Sequence, residues 1–351
     1  MSYLKYLYAG VFLTFIASCG SGNQKPSSLF DIVLDGNKTT LQQGDQLRVN
    51  IKNLTDIEIQ KVVYHIDETT LETDGNMLKF NIPKLGNKTL IASITYDSKT
   101  VEVSKNLKVL AAMAPEIYTY TIVNQFPHDN KAYTQGLEFY NDTLYEGTGK
   151  NGRSFLRSVD YSTGKVLQQI DLDKTYFGEG ITILKDKIYQ LTWQSKKGFV
   201  YDRKELKKLD NFQYGESTKG WGLANDGEKL FKSDGTEKIW FLNPDTMMEE
   251  GYIETVTNSS IFNKANELEY VNGKLYANVY QKPSVMIIDA KSGAIEGVVN
   301  FGGLSAKITK TENWVATDNV LNGIAYHPTR KTFFVTGKDW DILFEVELHK
   351  K

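Results

Sequence analysis

From residue 29 to about 110 the chain alternates apolar and polar positions in short runs: "FDIVLDG", "QLRVNIKN", "EIQKVVYHID", "MLKFNIP", "KTLIASITYD" and "TVEVSKNLKVL". Alternation with a period of two is the mark of half-buried strands. The pairs Asp35-Gly36, Asp74-Gly75 and Gly86-Asn87 read as turns between them. This spacing predicts a small β-sandwich of immunoglobulin type over residues 29–112. No catalytic constellation stands out in it, so it reads as a spacer or docking module.

After "AAMAPE", from Ile117 onward, the pattern becomes a repeat. Five segments align: "QGLEF" at 135, "EGITI" at 179, "WGLAN" at 221, "NELEY" at 266 and "NGIAY" at 322. Their period of roughly 40 to 55 residues suits a four-stranded propeller blade. A second strand follows each head about ten residues on, as in "LYEGTG" and "LYANVYQ", and then a strand, a turn and another strand. The last repeat stops after "ILFEVEL", one strand short, and "IYTYTIVNQF" ahead of the first repeat can supply it and close the ring. The fold expected is therefore all-β, a five-bladed β-propeller over residues 117–349 preceded by the sandwich. An open array of sandwiches leaves the short last repeat unexplained.

In a closed ring, equivalent positions surround the axis. The residues leading the five segments, Gln135, Glu179, Trp221, Asn266 and Asn322, are therefore expected to converge at one end of a channel. Their chemistry differs from repeat to repeat, whereas purely structural repeats would reuse one residue type. Glu179 sits in "TYFGEGIT" between two glycines, which permit a sharp turn and close approach of another group. A solvated surface turn is the plainer reading of that tripeptide taken alone.

The amino terminus "MSYLKYLYAGVFLTFIASCGSG" has one lysine, an apolar run too short to be read as a spanning helix, and then small residues. Ile16-Ala17-Ser18-Cys19 resembles the bacterial lipobox. It implies a signal peptide over 1–18, acylation of Cys19, and a tether over 19–28 that holds the protein to a bacterial envelope membrane. Five N-glycosylation-type sequons, at Asn37, Asn53, Asn87, Asn141 and Asn258, are chance in such a protein. Cys19 is the sole cysteine of the 351 residues, which excludes a disulfide framework and a cysteine-based metal site. A net charge of -2 with scattered lysines offers no basic face for nucleic acid.

Other chemistry is removed in turn. The four histidines, His65, His128, His327 and His349, have no metal-ligand spacing. There is no GxSxG, no GxxxxGK[ST] and no GxGxxG opening a helix. "SDGTE" at 233–237 reads as a hairpin turn in preference to a calcium loop.

The segments "YTQGLEF", "YFGEGITIL", "LTWQ", "GWGLANDG", "SDGTEKIWFLNP", "NELEYVNGKLYANV", "LNGIAYHP" and "VTGKDWDILFEV" together resemble the plant-type glutaminyl-peptide cyclotransferases. The resemblance spans residues 117–347 in order and leaves out 20–110. It implies cyclisation of an N-terminal glutaminyl residue to pyroglutamate with loss of ammonia, on a five-bladed propeller, without a metal or other cofactor. It places the acid/base glutamate on Glu179. The substrate-binding positions fall on Gln135, Trp193, Trp221, Asn266 and Lys338, with Tyr133 and Phe177 on further aromatic positions. Tyr280 stands where the family usually has tryptophan.

That chemistry suits these residue types. The substrate's own α-amine, with an ordinary pKa of about 7.7 to 8, must lose a proton, and the departing amide nitrogen must gain one. One carboxylate can serve both steps. Aromatic walls exclude water and raise the carboxylate's pKa. Expected partners are peptides or proteins with N-terminal Gln and, through Cys19, a membrane; a monomer is expected. The rival readings are a non-enzymatic surface propeller that binds a ligand or protein and, less well supported, a cofactor-dependent sugar dehydrogenase. Lys338 as a structural partner of an acid such as Asp234 is the plainer reading of that lysine.

Overall fold

The computed structural model describes residues 25–351, so Cys19 and the leader before it lie outside the described residues. Among the described residues the architecture is all-β, with one four-residue α-helix, Pro26–Leu29, ahead of the first strand. No helix among the described residues is long and apolar enough to cross a membrane.

Two sheets fill residues 30–110. One orders its strands Phe30–Leu34, Gln46–Asn53, Met77–Lys79 and Glu72–Asp74; the other orders Thr40–Gln42, Lys99–Leu110, Gly86–Tyr96, Lys61–Ile66 and Thr69–Thr70. The alternation in the sequence becomes alternating burial. In Phe30–Leu34 the positions Phe30, Ile32 and Leu34 are buried, and they join Leu90, Ala92 and Ile94 in one core. Asp97 and Ser98, both at positive φ (44° and 60°), make the two-residue hairpin turn between the two longest strands.

Gly86-Asn87, read from sequence as a turn, instead opens the strand Gly86–Tyr96. Gly86 is needed for another reason. A Cβ there would lie 2.5 Å from a carboxylate oxygen of Glu254, which accepts hydrogen bonds from Asn87 N (2.9 Å) and Asn87 Nδ2 (2.8 Å). The same contact zone buries Val256 in the N-terminal core. It also carries hydrogen bonds from Leu85 N to Ser292 O and from Ala111 N to Thr257 O.

Beyond Glu116 the strands form five four-stranded groups. Their first strands are Thr134–Tyr140, Gly178–Leu184, Leu223–Asn225, Ala265–Val271 and Leu321–His327. Each packs on the next and the fifth packs on the first, so the inner strands form a closed cycle. The strand Glu116–Pro127 pairs antiparallel with Ile342–Lys350 and completes the fifth group, as the short last repeat requires. It also pairs in parallel with Ile295–Asn300, which fuses the fourth and fifth groups into one eight-stranded sheet. Inner strands are mostly buried, Gly178–Leu184 at every position, whereas the outer strand Lys165–Asp171 is exposed nearly throughout.

An inner strand has one edge without a sheet partner, and its N–H groups need acceptors. Buried carboxylates supply them. Glu267 accepts from Leu137 N (3.2 Å) and Ile324 N (2.8 Å), joining the first and fifth inner strands across the cycle. Glu269 accepts from Tyr326 N (3.0 Å), and Glu138 from Ile183 N (3.0 Å). Burial pushes all three carboxyls above their ordinary range, Glu138 to about 8.

Candidate active site

Four of the five predicted heads are followed by glycine, and the backbone shows why. Gly180 N donates to Trp221 O at 2.7 Å, and a Cβ on Gly180 would lie 2.5 Å from that oxygen. A Cβ on Gly222 would lie 2.0 Å from Asn266 O. Only glycine lets neighbouring inner strands close this far, and their closure is what gathers the heads.

Glu179 is 3% exposed, and its Oε2 is buried with no hydrogen-bond partner among the described residues. Burial raises its carboxyl well above the ordinary carboxylate range, and the nearby Lys338 charge pulls it partly back. Lys338, also 3% exposed, follows the strand Thr332–Gly337, its backbone N–H bonded to Val320 O. Burial lowers its ammonium to about 8, against the opposing pull of Glu179 and Asp318. Asp234, the alternative partner read from sequence, is engaged elsewhere. Its carboxylate accepts from Trp240 Nε1 (2.8 Å) and Thr236 N (2.9 Å), which makes "SDGTE" a turn.

The aromatic residues fall into two groups. Tyr133, Phe177 and Trp193 pack in series, with ring centroids 6.0 and 5.5 Å apart; Trp221 and Tyr280 pack at 5.2 Å. The Lys338 ammonium joins them, 4.8 Å from the Tyr133 ring and 5.4 Å from the Tyr280 ring. Trp193 is 37% exposed and stands at the rim; Phe177, Trp221 and Tyr280 are half-buried.

Gln135 and Asn266 are buried at the heads of their strands. Asn266 O accepts from Ser233 Oγ at 2.7 Å, which pins that head to the third group. Gln135 Oε1 accepts from Asn322 Nδ2 at 2.9 Å. Below them, Thr134 Oγ1 donates to Glu146 Oε1 at 2.7 Å. Glu146 is held by Arg157 (Nε 2.8 Å) and His128 (Nε2 3.1 Å), and although burial opposes it, these cations keep its carboxyl well below the usual range.

The structure thus brings together Glu179, Lys338, Tyr133, Phe177, Trp193, Trp221 and Tyr280, with Gln135 and Asn266 at equivalent heads. Sequence reasoning missed Asp318 and Lys150. The Tyr133 hydroxyl donates to Asp318, Lys150 pairs with the same carboxylate at 2.8 Å, and its ammonium lies 4.1 Å over the Tyr133 ring. Asp318 lies in a long loop between strands, 185 residues from Tyr133, where no repeat or motif marked it. Among the described residues no group of three His, Cys, Asp or Glu side chains is placed to hold a metal ion.

A cycle of sheets with a buried carboxylate, Glu179, heading one inner strand and a buried amine, Lys338, just past the second strand of the fifth group defines a class: an all-β protein with a buried pair of titratable groups. The chain belongs to the glutamine cyclotransferase family, whose model matches residues 91–348. It is 40% identical over 228 residues to the glutaminyl-peptide cyclotransferase of Arabidopsis thaliana, covering 65% of this chain and 70% of that protein. It superposes on the crystal structure of Myxococcus xanthus glutaminyl cyclase with a TM-score of 0.62 at 30% identity, over 68% of this chain and 99% of the other.

Proposed function

We propose that the protein is a glutaminyl-peptide cyclotransferase, built as a five-bladed β-propeller over 117–349 with an immunoglobulin-like sandwich over 29–112. The observation that carries the reading is Glu179, a buried carboxylate with an unpartnered oxygen beside Lys338, in a chain of this family. The cycle of five inner strands and the strand Glu116–Pro127 closing the last group support the propeller. Two sheets around one core support the sandwich.

In the proposed reaction the substrate α-amine attacks its own γ-carboxamide carbon. A C–N bond forms to close the ring and the bond to the amide nitrogen breaks. Glu179 takes the proton from the amine and returns it to the leaving nitrogen, which departs as ammonia. The acyl group moves from one nitrogen to another, so the enzyme is an acyltransferase of aminoacyl type. Attack within one residue already has high effective molarity, which leaves the protein to fold the side chain back, exclude water and move protons. Gln135, Asn266 and Lys338 orient and polarise the carboxamide, and Tyr133, Phe177, Trp193, Trp221 and Tyr280 wall the site.

The substrates are peptides and proteins with N-terminal Gln. The remaining proposals are a leader over 1–18, a lipid anchor at Cys19 that places a monomer in a bacterial envelope, and a tether over 19–28. The test is ammonia release from a Gln-initiated dipeptide by the purified protein. Release is expected, and its absence under conditions where the protein is folded would favour a binding module.

A further inference from the structure

Asn322 is the one repeat head with no role so far. It is fully buried at a bulge in the strand Leu321–His327, where the pairing shifts between Leu321 and Ile324. Gly323 follows it at φ +115°, and its N–H donates to Asn278 Oδ1 at 3.1 Å. That bond and the left-handed glycine hold the bulge in place.

The Asn322 side chain uses its Nδ2 twice, donating to Thr134 O at 2.9 Å and to Gln135 Oε1 at 2.9 Å. A main-chain carbonyl only accepts, so the contact with Thr134 fixes which end of the Asn322 amide carries the hydrogens. The second hydrogen then fixes Gln135: its Oε1 is turned to Asn322, and its Nε2 makes no hydrogen bond among the described residues. Asn322 Oδ1 stays buried without a partner among the described residues. A group kept at that cost calls for a reason beyond packing.

We propose that Asn322 is a positioning residue that locks the Gln135 carboxamide with Nε2 as the donor to the carbonyl oxygen of the substrate's γ-carboxamide, where negative charge develops during ring closure. This rests on the cyclotransferase reading above. The assignment fits the geometry: Asn322 has no exposed surface and acts through Gln135. A donor held in advance needs no reorientation as charge develops, so its loss falls on kcat more than on KM.

The test is a double-mutant cycle on ammonia release from a Gln-initiated dipeptide. Gln135→Ala and Asn322→Ala should each lower kcat by about 10²-fold, the usual loss for one such donor, with KM changed by less than about threefold. Combined, they should be no worse than about threefold below Gln135→Ala alone, since both remove one function. Asn322→Asp keeps size but brings acceptors to Thr134 O and Gln135 Oε1, so the Gln135 amide turns over and the same loss is expected. Should Asn322→Ala lose its thermal transition, Asn322→Asp takes its place in the cycle. Losses that multiply in the double variant, or an Asn322→Asp enzyme with wild-type kcat, would overturn the assignment while leaving the cyclotransferase reading intact. A folded wild-type protein that releases no ammonia would overturn both.

Discussion

Glu179 and Lys338 are both buried and each one's charge shifts the other's ionisation, yet among the described residues neither makes an ion pair. A closed pair would hold Glu179 ionised and occupied. Standing apart, the two leave a carboxyl free to change protonation beside a charge that water screens poorly.

Glu179→Gln keeps the size of the side chain and removes the proton acceptor. Turnover should drop by about 10²- to 10⁴-fold, the usual contribution of a positioned acid/base. Because Glu179 Oε2 has no partner to lose, folding should persist, with Tm within about 3 °C of wild type. Near wild-type cyclisation by this variant would place the shuttle elsewhere.

Lys338→Met retains the stem against Tyr133 and Tyr280 and removes the charge that pulls the Glu179 pKa down. The Glu179 pKa therefore rises further. The acidic limb of kcat/KM, which reports the free enzyme's base, should move to higher pH. An unmoved limb in the pH profile would separate Lys338 from the shuttle.

His128 lies between two acceptors: Nδ1 against Trp340 O at 2.7 Å and Nε2 against Glu146 Oε1 at 3.1 Å. Both nitrogens must carry protons, so the ring is an imidazolium. Burial opposes the charge, but Glu146 and the Trp340 carbonyl outweigh it and raise the pKa above the ordinary value. The stability this contributes is fully present below about pH 6.5, the unfolded value, and is lost as pH rises through the folded pKa. Urea unfolding across this range should show the decline in wild type and not in His128→Gln. Equal pH dependence in both would count against the imidazolium.

A chain starting at Pro115 keeps every residue placed in the site and should retain turnover within about twofold, a change smaller than the loss of one active-site hydrogen bond. It exposes Val256 and removes the partners of Glu254. Uncovering one such side chain and its neighbours should lower Tm by about 4–10 °C. A folded, inactive truncated protein would show that the N-terminal sheets contribute to the site.

Anchoring through Cys19 is tested by Cys19→Ala, which should abolish lipid labelling and move the protein from the membrane to the soluble fraction. Lipid labelling that survives the substitution would remove the proposal.

The repeat heads were legible in the sequence because each is a polar or aromatic residue that opens a similar five-residue segment, in four of the five with glycine second and in all five with an aliphatic residue third. The inner strands begin within two residues of where that pattern puts them. Gly86 was misread because glycine beside asparagine marks a turn in most settings, whereas here it makes room for Glu254, a residue 168 positions away. Glu267 gave no sign of its role. It breaks the run of glycines at that repeat position, but only the closed cycle shows that its carboxylate bridges the first and fifth inner strands.

The sequence by itself determined the β character, the repeat, the unpaired last segment and the convergence of Gln135, Glu179, Trp221, Asn266 and Asn322, since all of these depend on local periodicity and equivalence between repeats. Tertiary structure alone decided that Glu179 and Lys338 stand apart, that Asp318 and Lys150 brace Tyr133, and that Asn322 sets the Gln135 amide. All but the contact of Lys150 with Tyr133 join residues more than 150 positions apart. They depend on burial and on hydrogen-bond direction across the ring, which are fixed when the strands close and leave no periodic trace in the chain.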